Sequence, residues 1–142
     1  SLDDLGIVPT LERYISKINE EHDIVIKFIT NGTPCVLPSI ISLTLFRLAQ
    51  EALNNILKHA HATEATVKIS FLEENIELFI SDNGIGFDVN EVHKKIRDDG
   101  SGFGLSSMKE RIQLLDGEFA IRSELNRGTR YYIRIPLKVN EV

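Results

Sequence analysis

Asp82-Asn83-Gly84-Ile85-Gly86-Phe87 and Gly100-Ser101-Gly102-Phe103-Gly104-Leu105 are the two short glycine runs whose reading decides how the chain is organised. The first closes a strand-like run and the second opens a helix-like one. A helix N-terminus carries unpaired N–H groups and the positive end of the helix dipole, so the second run suits a phosphate. Glycine at such places lets backbone come close to a partner that a Cβ would hold away. Each run also has a plainer reading. Asp82 suits a turn initiator before Asn-Gly as well as an acceptor for an exocyclic amine such as that of adenine. Gly84 and Gly86 suit ordinary turns, and Gly100, Gly102 and Gly104 suit a hinge.

Upstream, Pro38 and Ser39 open the longest helical pattern, with Ser39 as the expected cap, and the pattern runs to about His59. It is apolar at Ile41, Leu45, Leu48, Ala49, Ala52, Leu53, Ile56 and Leu57. Against that background Arg47, Glu51, Asn55 and Lys58/His59 recur at i, i+4, i+8 and i+11/i+12, one stripe down the helix. A solvated face of an amphipathic helix explains the stripe. So does hard-cation chemistry: Glu51 and Asn55, one turn apart, offer a carboxylate and an amide oxygen to Mg²⁺, with Lys58 and His59 placed for phosphate oxygens.

The rest of the chain supplies a sheet. Helical spacing of Leu11, Ile15 and Ile18 predicts a helix over 5–18, and the β-branched run 23–30 predicts a strand. Residues 65–72 and 76–81 alternate apolar and polar about Glu73-Glu74-Asn75, a hairpin with one buried face. Residues 104–116 read as a helix with Leu105, Met108, Ile112 and Leu115 on one side and Gly117 at its C-terminal cap. Two more strands follow over 118–124 and 129–137. Between the glycine runs, residues 87–101 are mostly polar, a long connection of the kind that is often functional. The expected fold is therefore an α/β (α+β) two-layer sandwich, a mixed and mostly antiparallel sheet covered on one face by helices, forming one domain over 1–142.

Bulk properties narrow the class. The 142 residues are 42% hydrophobic and 26% charged, ordinary for a globular domain. A net charge of −5 argues against a nucleic-acid surface but not against a nucleotide, whose phosphates are held by local amides and a metal. The single cysteine, Cys35, excludes an internal disulfide and a cysteine-based zinc site. No apolar run reaches the length of a membrane span, and a cytoplasmic setting is expected. There is no G-x-x-x-x-G-K-[ST] string and no G-x-G-x-x-G within a βαβ unit, so neither a P-loop nor a Rossmann site is expected.

At this point the residues resemble a family. Gln50-Glu51-Ala52-Leu53-Asn54-Asn55-Ile56-Leu57-Lys58-His59-Ala60 resembles the N box of the sensor histidine kinases, residues 82–87 their G1 box, and Gly100 to Leu105 with Met108-Lys109-Glu110-Arg111 their G2 box. Gly128-Thr129 resembles the Gly-Thr pair ahead of that family's last strand. The subgroup most similar includes the DesK-like, DegS-like and NarX-like sensors, which pair with NarL/LuxR-type response regulators. The resemblance spans essentially the whole chain. It implies the Bergerat fold shared with gyrase and MutL, with ATP and Mg²⁺ as ligands. Asn55 would then bind Mg²⁺ with Glu51 nearby, Asp82 the adenine amine, and Gly84 and Gly86 would flank the base. Thr129 would support the adenine end. Lys58, His59, Gly100, Gly102, Phe103, Gly104 and Leu105 would surround the phosphates, and residues 87–101 would form a lid.

The implied activity is transfer of the γ-phosphoryl group to a histidine on a separate dimerisation domain, in a full-length homodimer, with this stretch alone a monomer. Glu21-His22-Asp23-Ile24 imitates the acceptor string, but it falls at a strand with no helical hairpin around it, so His22 is not taken as the acceptor. His61 and His93 are read as surface residues. Two alternatives remain: an ATP hydrolase in which Glu51 polarises a water, and an anti-sigma-type serine kinase or regulatory nucleotide-binding module.

Overall fold

Alternation becomes a sheet. In the computed structural model, which describes residues 6–88, 90 and 104–137, strand β2 (Glu64–Phe71) buries Val67 and Ile69 while Thr66 and Lys68 face the other way. Strand β3 (Asn75–Asp82) pairs antiparallel with β2 and buries Ile76, Leu78 and Ile80. β4 (Glu118–Ser123) and β5 (Thr129–Pro136) form a second hairpin, and β5 docks antiparallel on β3. β1 (Val25–Asn31) lies parallel to β2 at the far edge, giving the order β1-β2-β3-β5-β4. One parallel pair among antiparallel ones is the mixed sheet the patterning predicts, and a parallel pair needs a long crossover. Helix α2 (Ser39–Asn55) supplies it.

Helices α1 (Ile7–Glu21), α2 and α3 (Leu105–Leu114) cover one face, in the expected order. Leu11, Leu45, Leu48, Leu53 and Ile112 are fully buried against Ile69, Ile80 and Ile133. Burying each such side chain contributes roughly 1.5–3 kcal/mol. The apolar face of α2 is therefore core, as its sequence says, and only the polar stripe remains for other work.

Four boundaries differ from the sequence expectation, each for a local reason. α1 runs on to Glu21 and β1 begins at Val25, not at residue 23. Asn19 fixes this: its Oδ1 accepts from Ile26 N–H at 2.8 Å and its Nδ2 donates to Ile26 C=O at 3.0 Å, a side chain standing in for a neighbouring strand on the open edge of β1. Pro38, not Ser39, takes the cap position of α2, and its carbonyl accepts from Ile41 and Ser42. At the end of α3, Asp116 and not Gly117 adopts the left-handed conformation (φ 58°). The Gly117 N–H then reaches back to Ile112 C=O at 2.9 Å and the Asp116 N–H to Gln113 C=O at 3.0 Å, the paired bonds of a Schellman end. Glycine at 117 is still required, because a Cβ would stand 2.6 Å from Arg134 O and 2.7 Å from Ile112 Cγ2.

The fourth difference matters most for function. The helix predicted through His59 stops being α-helical at Asn55 and widens into a π-helical turn over Ile56–Ala60, ending at His61 with φ 50°. Such widened turns recur at functional sites because they re-aim the side chains they carry. Lys58 and His59 sit on this turn. His22 lies exposed at the C-terminal end of α1 and not at the start of the strand where the sequence expectation puts it, and His61 is also exposed. His93 and most of residues 87–101 lie outside the described residues.

Candidate nucleotide site

Three ends of secondary structure converge. The register sets Asp82, last in β3, directly opposite Thr129, first in β5, and opposite Ala65 on β2. The C-terminal end of α2 and its π-helical turn close the third side. Between them lies a cavity of about 230 Å³, somewhat below the roughly 300–1,000 Å³ usual for small-molecule clefts. Asn55, His59, Asp82, Gly86 and Thr129, five residues selected from the sequence, share its wall. Ile56, Ala60, Ile85 and Phe87 supply apolar surface for a planar ring.

Asp82 is the least satisfied group there. Its Oδ1 accepts from the Gly84 N–H at 2.8 Å, the Asx-type turn anticipated from Asp-Asn-Gly. Its Oδ2 is buried with no hydrogen-bond partner among the described residues. Burial pushes its carboxyl above the ordinary 3.8, and the backbone N–H groups of Gly84 and Thr129 pull it part of the way back. Buried acceptors are normally paired, so an orphan on a cavity-lining residue marks a missing donor. The turn and ligand readings of Asp82 are thus compatible, one for each oxygen.

Two residues that matter to the site were not singled out from the sequence, Tyr131 on the cavity wall and Ser123 behind it. Tyr131 is buried beneath the site, and its hydroxyl accepts from Asn55 Nδ2 at 3.3 Å. With the amide nitrogen turned to the phenol, the amide presents its oxygen on the opposite side of the group. Burial pushes the Tyr131 hydroxyl up to about 12; the bond from Asn55 opposes that, while the charges of Asp82 and Glu51 add to it. Ser123 ties the wall together: its Oγ accepts from Phe87 N–H at 2.8 Å, lies 2.8 Å from Thr129 Oγ1, and donates to Gly128 C=O at 3.1 Å. A signal for both was present. Each occupies an inward position of an alternating strand otherwise filled by apolar residues, Phe119 and Ile121 before Ser123, Ile133 and Ile135 after Tyr131.

The glycines of the first run have a steric reason within the fold itself. A Cβ on Gly84 would overlap the Ala60 carbonyl, and one on Gly86 (φ 63°) would overlap the Glu124 carbonyl. The loop after β3 is pressed between the π-helical turn and the β4–β5 hairpin. Ile85 N–H donates to Ala60 C=O at 2.7 Å, and Asn126 N–H donates to Ile85 C=O. Asn83 adds a clip: its Oδ1 accepts from the backbone N–H of Thr63 and Glu64 at 2.9 and 3.0 Å, and its Nδ2 donates to Thr63 Oγ1 at 2.9 Å. The glycines therefore hold the cavity wall in place, and Gly84 is not itself on it.

The remaining candidates divide. Glu51, Lys58 and Leu105 are not on the cavity wall. Lys58 is exposed on the π-helical turn, and Leu105 is buried in the first turn of α3. The carboxylate of Glu51 lies against Gly104, whose φ of 73° and lack of Cβ make room for it at the start of α3. This contact brings the N-box stripe and the second glycine run together. Gly100, Gly102 and Phe103 lie outside the described residues.

The donor chemistry fits the implied ion. Among the described residues there is no cluster of three or more His, Cys, Asp or Glu side chains. One amide oxygen and one carboxylate a helical turn apart are the sparse hard-oxygen set that suits Mg²⁺, which takes its other ligands from water and substrate phosphate.

Comparison with known proteins gives the family. Residues 41–139 match the family described as histidine kinase-, DNA gyrase B- and HSP90-like ATPase. The chain is 41% identical over 141 residues to the signal transduction histidine-protein kinase/phosphatase DegS of Brevibacillus brevis, covering 99% of this chain and 35% of that protein. It is 34% identical to the oxygen sensor histidine kinase NreB of Staphylococcus carnosus, covering 96% and 38%. It thus spans little more than a third of the curated relatives it matches. The resemblance to the subgroup containing DegS-like sensors is borne out. Among solved structures, the histidine kinase domain of the Erythrobacter litoralis EL346 blue-light activated kinase shares the fold at a TM-score of 0.63, with 23% identity over 89% of this chain and 59% of that one. Acinetobacter baumannii AdeS does so at 0.69, with 16% identity over 94% and 64%. With fold, motif order and relatives in agreement, the chain belongs to the histidine kinase-, DNA gyrase B- and HSP90-like ATPase family.

Proposed function

We propose that residues 1–142 form one domain that binds Mg-ATP and supplies its γ-phosphoryl group to a histidine on a separate dimerisation domain of a homodimeric two-component sensor kinase. The phosphoryl group would then pass to a NarL/LuxR-type response regulator. The single observation behind this is the orphaned, buried Oδ2 of Asp82, a residue that lines one cavity with Asn55 and Thr129. An adenine amine would satisfy it, with the ring between the apolar side chains of Ile56 and Ile85. The phosphates would extend past His59 toward the start of α3, whose first N–H groups have no side-chain cap. Asn55, with Glu51 beside it, would hold Mg²⁺, which neutralises phosphate charge during transfer. The protein's part is positioning and electrostatics, the usual route in phosphoryl transfer.

Lys58 would act as a nearby cation. Gly100, Gly102 and Phe103 are proposed as phosphate contacts on the resemblance alone. Among the described residues no helix is long and apolar enough to cross a membrane. A cytoplasmic setting for this domain belongs to the proposal, because its nucleotide and its response regulator would both be met there. Mixing the domain with a separate histidine-bearing helical domain and γ-labelled ATP tests the proposal. Acid-labile phosphohistidine is expected. Brisk phosphate release by this domain alone would instead support the hydrolase reading, with Glu51 orienting water. Acid-stable phosphoserine on a protein substrate would support the anti-sigma-type alternative.

A further inference from the structure

The hydroxyl of Ser123 makes three contacts, and only one arrangement of protons satisfies them all. The Phe87 N–H must donate to Ser123 Oγ, at 2.8 Å. The Gly128 carbonyl has no proton, so the one proton of Ser123 goes to it, at 3.1 Å. The third contact, 2.8 Å to Thr129 Oγ1, can then be made only by the Thr129 proton. Ser123 Oγ is thereby saturated, with two donors received and one proton given. Thr129 is 3% exposed and lines the cavity, and its hydroxyl proton is spent on Ser123, away from any ligand. With that proton spent, the Thr129 oxygen can only accept from any further partner.

Asp82 stands directly across the β3–β5 pair from Thr129, and its buried Oδ2 is also an acceptor. Asp82 and Thr129 therefore both present acceptors at this end of the cavity. An exocyclic amine carries two protons and matches it. A ring carbonyl at the same place has none to give and would face oxygen lone pairs on both sides.

We infer that Ser123 is a specificity-determining residue: by taking the Thr129 proton, it fixes Thr129 as an acceptor and makes the pocket select an amino-purine over an oxo-purine. Ser123 itself touches neither the ligand nor the reacting atoms; it acts through Thr129. The inference rests on the proposed adenine site and adds to it the residue that sets its hydrogen-bond polarity. Sites built around unpaired polar groups reject analogues that leave those groups unpaired far more strongly than apolar pockets reject a change of size.

The test is the ratio of ADP to IDP affinity, measured by calorimetry with Mg²⁺ present, since IDP replaces the exocyclic amine with a carbonyl oxygen. The wild-type domain is expected to prefer ADP by at least about 100-fold. In Ser123→Ala the Thr129 hydroxyl is free to rotate and donate, and the ratio should fall about tenfold, with IDP binding tighter than in wild type. In a Thr129→Val background the same Ser123→Ala change should leave the ratio unmoved, because the hydroxyl it acts through is gone. Should Ser123→Ala fail to fold, Thr129→Val alone carries the test: ADP affinity drops about tenfold while IDP affinity holds. Parallel loss of both nucleotides in either single variant would overturn the inference, since that is what a merely structural role produces. A wild-type domain with no preference between ADP and IDP would instead overturn the proposed adenine site.

Discussion

Asp82→Asn separates what a buried carboxylate costs the fold from what it contributes to binding. In the ligand-free protein Oδ2 is an acceptor without a partner among the described residues, and such a group costs about 1–3 kcal/mol. Asp82 is only partly buried, which places the cost near the low end, about 1 kcal/mol. Asparagine keeps the oxygen that receives the Gly84 N–H and replaces the buried, unpaired carboxylate oxygen by a neutral NH₂ group. At neutral pH the variant should therefore be the more stable protein, by about 1 kcal/mol or a rise of about 3–5 °C in Tm. The sign of the pH dependence follows from the raised carboxyl. The native state holds the Asp82 proton more tightly than the unfolded chain does, so the wild type loses stability as pH rises from 3.8 through the raised value. The amide of the variant has no such proton to lose. The gap between the two proteins should be small below pH 4 and open as the carboxyl ionises. Nucleotide binding should move the opposite way, with ADP affinity falling about 30-fold as a charge-assisted bond is lost. Melting curves from pH 3.5 to 7.5 and calorimetry at neutral pH read both effects. A variant less stable than wild type at pH 7, or a stability gap that ignores pH, would refute the reasoning.

Further expectations follow from the same contacts. Tyr131→Phe removes the acceptor for the Asn55 amide, and should weaken Mg-ADP more than metal-free ADP, a difference of about tenfold read by titration with and without Mg²⁺. Because burial pushes the Tyr131 hydroxyl from its ordinary 10.0 up to about 12, wild-type stability should fall faster than that of Tyr131→Phe between those two values, to be read by thermal melts. Gly84→Ala drives a methyl group into the Ala60 backbone and should cost more than about 2 kcal/mol, seen as a large drop in denaturation midpoint, with nucleotide affinity lost in proportion. Asn83→Ala removes a clip of three hydrogen bonds, and a loss of about 1–2 kcal/mol in urea unfolding is expected.

The parts of this molecule that were legible beforehand are those governed by local periodicity. Val67 and Ile69, Ile76 to Ile80, and the apolar face of α2 state their burial through spacing alone, and the layer order follows from them. Asn55, Asp82 and Thr129 were also found, but as separate motifs; it is the β3–β5 register and the end of α2 that bring them to one cavity. The π-helical turn was hidden because one extra residue in a helical register leaves no compositional trace. It shifts the outcome at Lys58 and His59, of which only His59 reaches the cavity wall. Asn19 could not be foreseen as an edge-strand mimic, since its partner Ile26 meets it only after the chain reverses. Tyr131 and Ser123 were read as part of strands whose inward positions make core. Their hydroxyls matter because those positions lie at the strand ends, where the core gives way to the site.

The central claim is that one purine nucleotide spans the loop after β3, the end of α2 and the start of β5. Titration of the isotope-labelled domain with Mg-ADP, followed by amide chemical shifts, tests it most directly. The amides of Asn55, His59, Gly86 and Thr129 should move together along one saturable, one-site curve, while those of the β1 edge stay still. An absence of saturable shifts at these four positions, or saturable shifts confined to another face of the domain, would contradict the account.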